Sequence, residues 1–272
     1  MHDGIPPDLL LVAVTIALAL IVHAAVNVLN DYYDALNGTD DANTERLFPF
    51  TGGSRFIQNG ILTPVQTARF GYALLATAIP GGLWLAAQVG TGLLAIGAAG
   101  LFIGWAYSAA PFKLNSRGVG EVCVLAGFLG IVIGADYVQR GQYDLSPALF
   151  GLPYALLVTN LLYINQFPDR KADAATGKKH WVVRLRLPFA ARVYPLLSGL
   201  ALGVLLMLQQ REMIPPIALI SAIPLLLSLR AAIMLGHHAA HPAALLPAIR
   251  LTIAAMLAHG ILLSVLLVWD RS

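Results

Sequence analysis

The stretch of sequence that decides the fold is LLLVAVTIALALIVHAAVNVLNDYYDALNGTDD, residues 9–41. Its first half is almost wholly apolar, and a membrane helix needs about 20 mainly apolar residues. Its second half carries the carboxylates of Asp31, Asp34, Asp40 and Asp41. Carboxylates at the end of such a helix are costly unless a partner or a function holds them there. The stretch therefore predicts a membrane helix that ends in a functional acidic cluster.

The composition of the whole chain also indicates a membrane protein. Of its 272 residues, 58% are hydrophobic and only 11% are charged, whereas an ordinary soluble domain is about 25% charged. The single cysteine, Cys123, provides neither a disulfide framework nor a Cys-based metal site. The net charge of +3 is scattered over loops without a basic stripe, so no nucleic-acid partner is expected. The expected fold is an all-α helical bundle in a lipid bilayer.

We count about eight apolar segments of membrane-spanning length. They lie near residues 9–29, 67–89, 91–109, 118–139, 146–166, 189–209, 214–235 and 249–269. The connections between them are short except at about 30–66 and 167–188. Since no soluble domain or linker interrupts the pattern, we expect a single transmembrane domain over residues 1–272.

The positive charges are divided unevenly between the two faces of this predicted bundle. Of the 17 Lys and Arg residues, only Arg140, Arg211 and Arg271 fall on the face opposite the two long connections. Cytoplasmic loops of membrane proteins are enriched in Lys and Arg. We therefore expect both long connections on the cytoplasmic side, and a bacterial inner membrane as the location.

An acidic pattern recurs in the second long connection, NQFPDRKADAATGKK, residues 165–179. The spacing of Asn30 and Asp34 at the end of the first predicted span is repeated by Asn165 and Asp169 at the end of the fifth. Four helices separate the two, so both helix ends point to the same side. The recurrence predicts an internal duplication with the site between its halves.

Spacings of three or four residues place the polar side chains of each acidic segment on one helix face. The first face holds His23, Asn27, Asp31 and Asp34, and the second holds Asn165, Asp169 and Asp173. Pro168 predicts that the second helix breaks or bends at the site. Facing carboxylates repel each other unless cations join them. Mg²⁺ takes oxygen ligands and leaves room for substrate phosphates, so it is the expected cofactor.

Basic side chains beside the acidic segments have two interpretations. They either clamp phosphate oxygens or only determine topology; the candidates are Arg46, Arg55, Lys178, Lys179 and Arg184. The segment 42–60, which contains Arg55, is also a candidate lid over a phosphate.

The segment GWAYSAAPFKLNSRGVGE, residues 104–121, closes one predicted span and opens the next. Tyr107 is either a ring of the interfacial aromatic belt or a pocket ring that stabilises a carbocation. Glu121 lies early in a span, where an unpaired carboxylate is costly. We therefore expect it to pair with Lys113 or Arg117.

Four segments of the chain, from the first span to about residue 187, resemble the UbiA superfamily of intramembrane aromatic prenyltransferases. They are NVLNDYYDALNGTD, GGSRFIQNGILTP, YSAAPFKLNSRGVGE and NQFPDRKADAATGKKHWVVRL. Within the superfamily, the GVGE that ends at Glu121 makes the chain most similar to the 1,4-dihydroxy-2-naphthoate polyprenyltransferases of menaquinone biosynthesis. Enzymes that accept 4-hydroxybenzoate, homogentisate or a porphyrinoid are alternatives. A divalent-cation transporter is an alternative of another class.

The resemblance implies that an isoprenyl diphosphate, bound on Mg²⁺, ionises and alkylates an electron-rich aromatic acceptor. Tyr107 or Tyr163 would face the allylic cation. Carried over by position, the catalytic residues would be Asp31, Asp34, Asp169, Asp173 and Tyr107, and the four aspartates would be the metal ligands. The substrate-binding residues would be Asn27, Asn30, Asn165, Lys113, Arg117, Lys178 and Arg55. The oligomeric state does not follow from the resemblance.

The chain departs from the family pattern in three places. The position of the usual third aspartate of the first motif is Gly38, and Asp40 follows two residues later. Family members usually have nine helices, and the helix before the first acidic motif is expected to be absent here. His180 and Trp181 stand where smaller or polar residues are expected.

Overall fold

The structure, a computed structural model, describes residues 6–269. All regular elements in this range are helical. The α-helices are α1 (Leu9–Asn37), α2 (Thr39–Ala42), α3 (Pro64–Val89), α4 (Leu93–Ser108), α5 (Gly120–Arg140), α6 (Ser146–Ala175), α7 (Trp181–Arg184), α8 (Leu187–Gln210), α9 (Leu225–His238) and α10 (Leu246–Trp269). Three 3₁₀ segments accompany them, at Leu114–Arg117, Pro216–Ala222 and Pro242–Leu245.

Seven helical segments among the described residues are long and apolar enough to cross a membrane. They are Leu9–Asn37, Pro64–Val89, Gly120–Arg140, Ser146–Ala175, Leu187–Gln210, Pro216–His238 and Pro242–Trp269. The predicted all-α membrane bundle is thereby confirmed, and the chain is an integral membrane protein. The predicted span at 91–109 forms α4, whose 16 residues fall short of the usual length of about 20. Arg271, used in the charge comparison above, lies outside the described residues.

Helix α1 carries the first acidic motif at its C-terminal end, and a capping residue defines each end of the helix. The Asp8 carboxylate caps the N-terminus, accepting from the N–H groups of Leu10 and Leu11 at 2.9 and 3.1 Å. Gly38, with φ of 74° in the left-handed region, ends the helix. That conformation suits glycine, and it turns the chain directly into the short helix α2. The turn therefore brings Asp40 back over the end of α1.

Close packing of α1 against its neighbours depends on small residues. A Cβ added to Gly71 of α3 would lie 2.8 Å from the Leu29 side chain, and one on Gly81 would lie 2.6 Å from Leu18. On α4, a Cβ at Gly104 would lie 2.7 Å from Val26. These contacts let the helix backbones approach closely, as small residues do in membrane bundles.

Helix α6 is the central element and carries the second acidic motif. It packs against α5, α8 and α10, and its Tyr163 and Phe167 belong to a buried cluster with Tyr194 of α8. Pro168 was predicted to break or bend this helix, and no break occurs, since α6 runs without interruption through that residue. Pro168 is buried in a helix that packs against α5, α8 and α10, and such packing lets a helix tolerate the backbone donor that proline removes.

Candidate active site

A polar cavity of about 260 Å³ lies where α1 and α6 end on the same side of the bundle. Both acidic motifs contribute to its wall. Its carboxylates are those of Asp31, Asp34, Asp40, Asp169 and Asp173. The sequence-based expectation that the two motifs share one pocket therefore agrees with the geometry.

Lys178 joins the two motifs electrostatically. Its ammonium group lies 2.8 Å from Asp34 Oδ2 and 3.3 Å from Asp173 Oδ1. The lysine is buried, with only 9% of its surface exposed. Burial alone would lower its pKa, but the neighbouring carboxylates of Asp34 and Asp173 raise that pKa above its ordinary value. Lys178 is therefore a fixed positive charge between the two acidic helix ends.

Asp40 lies in the same cavity and is almost fully buried. Burial, together with repulsion from Asp34 and Asp31, raises the pKa of Asp40 to about 7. The Asp40 side chain thus lies in the acidic cavity, although the usual position of the family's third aspartate is occupied by Gly38. Asp40 reaches the cavity because the chain turns back at Gly38.

A strap, defined here as residues 43–54, connects the two motifs across the mouth of the cavity. The Asn43 amide donates to Asp169 Oδ1 at 2.7 Å, and the backbone N–H of Gly52 donates to Asp169 Oδ2 at 3.3 Å. The N–H of Ser54 donates to Asp31 Oδ2 at 3.2 Å. One segment therefore holds a carboxylate from each motif.

His180 fixes the remaining carboxylate of the second motif. Its Nε2 lies 2.9 Å from Asp173 Oδ2, and its side chain is buried in the cavity wall. Trp181, its neighbour, donates from the indole N–H to the Gly118 carbonyl at 2.8 Å. The unexpected His-Trp pair thus anchors the segment after α6 to the cavity and to the segment before α5.

Amide side chains of Asn30, Asn115 and Gln166 also line the cavity, and neighbouring groups hold them by hydrogen bonds. Ser108 Oγ accepts from Asn30 Nδ2 at 3.0 Å and from Asn115 Nδ2 at 3.4 Å. Glu121 does not pair with Lys113 or Arg117 as predicted; it accepts a 2.9 Å hydrogen bond from Gln166. The partner of the Glu121 carboxylate is therefore the neutral amide of Gln166 in α6, and not one of the cations nearby in the sequence.

The predicted site residues separate into two groups. Those that line the cavity are Asn27, Asn30, Asp31, Asp34, Tyr107, Asn165, Asp169, Asp173 and Lys178. The other three, Arg55, Lys113 and Arg117, are not part of its wall. Arg55 donates to the Asp40 carbonyl, and Arg117 donates to the Pro111 carbonyl at 2.7 Å. Tyr163 is also remote, since its hydroxyl donates to the Ala190 carbonyl inside the helical core.

Several cavity residues were not anticipated from the sequence as members of the site. Asn43 and Gly52 belong to a connection whose path over the carboxylates depends on long-range folding. Gln166 directly follows Asn165 and lies three residues before Asp169, a helical spacing that could have indicated it. A second local signal was the glycine pair in PFTGGSR, because adjacent glycines permit close approach to other groups.

The donor set of the cavity suits a hard divalent cation that enters together with phosphate. Within residues 6–269, no three His, Cys, Asp or Glu side chains form a preassembled metal-ion site. Asp34 Oδ1 and Asn165 Oδ1 are nevertheless buried in the wall without a hydrogen-bond partner. Mg²⁺ commonly binds through one or two carboxylates, waters and substrate phosphates. The residues therefore fit Mg²⁺ as part of a complex with a diphosphate.

Comparison with known protein families gives this geometry its context. Residues 1–256 match the model of the UbiA prenyltransferase family. The chain belongs to the UbiA prenyltransferase family. No solved structure matches it significantly.

Curated relatives of this UbiA family chain include two mycobacterial proteins named 1,4-dihydroxy-2-naphthoate octaprenyltransferase. The Mycobacterium leprae protein is 28% identical over 72% of this chain and 63% of its own length. The Mycobacterium tuberculosis protein is 30% identical over 64% of this chain and 57% of its own length. A Synechocystis protein named 2-carboxy-1,4-naphthoquinone phytyltransferase is 28% identical over 65% of this chain and 55% of its own length. The matched region thus spans a little over half of each relative.

Proposed function

We propose that this chain is a Mg²⁺-dependent polyprenyltransferase, with residues 1–272 acting as one transmembrane domain. It would transfer a polyprenyl group from an isoprenyl diphosphate to an aromatic acceptor. The observation that carries the proposal is the single cavity in which both acidic helix ends and Lys178 meet. Family membership supports the same reaction.

The residues of the cavity divide the binding of the diphosphate between them. Asp31, Asp34, Asp169 and Asp173 would hold Mg²⁺, which supplies Lewis-acid neutralisation of the diphosphate when bound. Lys178 contributes positive charge of its own at the point where negative charge develops on the leaving group. The ammonium already lies between the motifs, so little reorganisation is needed for it to contact phosphate oxygens.

Exclusion of water is the second task of the cavity, because an allylic cation reacts readily with it. The strap would help to exclude water, because Asn43 and Gly52 already hold it against the Asp169 carboxylate. Tyr107, in the cavity wall, would present its ring to the developing cation. An acceptor ring would attack the cation, and the attacked ring carbon would then lose its substituent as carbon dioxide or a proton.

The acceptor proposed here is 1,4-dihydroxy-2-naphthoate. Its support is the names of the mycobacterial relatives and the GVGE segment that ends at Glu121. The alternatives are 4-hydroxybenzoate, homogentisate and a porphyrinoid acceptor. The proposed location is a bacterial inner membrane with the cavity on the cytoplasmic face, which the distribution of Lys and Arg supports.

The test is turnover in washed membranes with a radiolabelled allylic diphosphate and Mg²⁺. Acceptors are offered one at a time, beginning with 1,4-dihydroxy-2-naphthoate. We expect a labelled lipid product that disappears with EDTA and falls by more than about 100-fold in Asp34→Asn and in Asp169→Asn. Asp144→Asn is the matched control, because Asp144 pairs with Arg140 away from the cavity.

Each result of this experiment has a distinct meaning. Product formed only with another acceptor would keep the reaction and replace the acceptor. Lack of product with every acceptor, while the variants still bind divalent cations less well than the parent chain, would favour cation transport over prenyl transfer.

A further inference from the structure

Two oxygen atoms beside the cavity lack the hydrogen-bond donors that buried oxygens normally have. Gln166 Nε2 donates to Glu121 Oε1 at 2.9 Å. The other oxygen of each side chain, Gln166 Oε1 and Glu121 Oε2, is buried without a partner. The two side chains share one hydrogen bond, so each free oxygen is one bonded carbon away from an atom of that bond. Leaving such oxygens unpaired is costly, so this pair is suited to a ligand that brings donors.

The position of the pair relates it to the proposed reaction centre. Gln166 lines the cavity and precedes Asp169 by three residues on α6, which places it about 4.5 Å further from the C-terminal end of that helix. Tyr107 lines the same wall, and its ring carbon Cε2 would lie 3.6 Å from a Cβ added to Gly120, the residue that precedes Glu121. The pair is therefore close to the carboxylates but separate from them.

The chemistry of the pair selects among the ligands of the proposed reaction. A diphosphate offers acceptor oxygens and negative charge, so it cannot satisfy two acceptor oxygens, one of which belongs to a carboxylate. A phenolic hydroxyl donates its proton in a hydrogen bond and carries no net charge. The apolar side chain of Leu162, also in the wall, suits the face of an aromatic ring.

We propose that Glu121 and Gln166, beside Tyr107, form the subsite that recognises the hydroxyl groups of the aromatic acceptor. The inference rests on the proposed function and names the residues that would select its acceptor. Hydrogen bonds from the hydroxyls to this pair orient the ring and increase the electron density of its ortho and para carbons. A carboxylate on the acceptor points away from Glu121, because like charges repel.

Ligand binding in detergent, without diphosphate or turnover, tests the proposal directly. The probes are 1,4-dihydroxy-2-naphthoate and 2-naphthoate, which share the naphthalene ring and the carboxylate and differ in the hydroxyls. We expect the parent protein to bind the dihydroxy compound at least about tenfold more tightly. The double variant Glu121→Met/Gln166→Met should bind both compounds with equal affinity.

The double variant is chosen because it replaces both partners by apolar side chains of similar length, a change that can be nearly neutral for stability. Gln210→Met is the matched control: Gln210 is exposed at the C-terminal end of α8, outside the cavity wall, so this variant should keep the preference. Lack of a preference in the parent protein, or a preference that survives in the double variant, would overturn the proposal. Hydroxyl-dependent binding without any prenyl transfer in membranes would instead refute the proposed function and leave the subsite in place.

Discussion

Lys178 controls the electrostatic balance of the cavity at the scale of a single residue. A buried ion pair stabilises a protein little relative to an apolar replacement of both partners, but removal of one partner leaves an uncompensated charge. Here one ammonium compensates two carboxylates that belong to different helices. The loss of Lys178 would therefore remove the charge that Asp34 and Asp173 share and leave only His180, beside Asp173, as a partner.

We predict that Lys178→Met lowers the free energy of unfolding by about 3–5 kcal/mol in EDTA. Mg²⁺ should restore much of this loss, because the cation replaces the missing positive charge between the carboxylates. Thermal unfolding in detergent, with and without Mg²⁺, measures both effects. Lys171→Met is the control: its side chain is 74% exposed and its partner Glu45 is partly exposed, so the cost should not exceed about 1 kcal/mol. Equal destabilisation of the two variants would contradict the role assigned to Lys178.

The sequence predicted those residues of the cavity whose positions follow from helical spacing. Asp31, Asp34, Asp169 and Asp173 follow from such spacing, and all line the cavity. The partner of Glu121 was predicted wrongly, because Gln166 lies on a different helix and 45 positions away along the chain. The sequence near Glu121 contains two cations, Lys113 and Arg117. It does not reveal a contact that forms between two helices.

At the scale of an element, the strap is a long connection held by specific contacts to the acidic motifs. Gly53 has φ of 67°, and a Cβ there would lie 2.8 Å from Asp31 Oδ1. The neighbouring N–H of Ser54 donates to the same carboxylate. The glycine therefore serves two purposes: it adopts a left-handed conformation, and it leaves room for the Asp31 side chain.

We predict that Gly53→Ala weakens binding of an isoprenyl diphosphate, because the added methyl displaces Asp31 from its contact with the strap. Gly60→Ala is the matched control, since Gly60 has a similar φ of 70° but no atom within 4 Å of its added Cβ. Each variant should lose about 1–2 kcal/mol of stability from backbone strain. Equilibrium binding of labelled diphosphate with Mg²⁺ then isolates the Asp31 contact. Identical affinities of the two variants would show that the strap does not position Asp31.

The helices themselves were predicted more completely than the strap. Apolar segments of about 20 residues indicate spans by length alone, and seven long apolar helices match them. Two local features limited the prediction. Pro168 does not break α6, which runs through it and packs against α5, α8 and α10. The path of residues 43–54 has no periodic signal, since its bonds to Asp31 and Asp169 are made only after the helices assemble.

At the scale of the whole molecule, most Lys and Arg residues fall on the face of the bundle that carries the two acidic motifs. The exposed Lys171 lies within the second motif, between Asp169 and Asp173. On the other face, Arg140 lies between Asp136 and Asp144 in a local cluster at the connection of α5 to α6. This asymmetry supports the proposed orientation, in which the soluble diphosphate reaches the cavity from the cytoplasm while the prenyl chain lies along the bilayer.

We predict that single cysteines on these two faces react with a membrane-impermeant maleimide from opposite sides. The background is Cys123→Ser, whose parent thiol is buried. Lys171→Cys should be labelled in inverted vesicles and protected in intact cells, because its side chain is exposed beside the cavity. Gln142→Cys, at an exposed position in the connection of α5 to α6, should show the reverse. Labelling of Lys171→Cys in intact cells would place the cavity outside the cytoplasm, where a cytosolic diphosphate could not reach it directly.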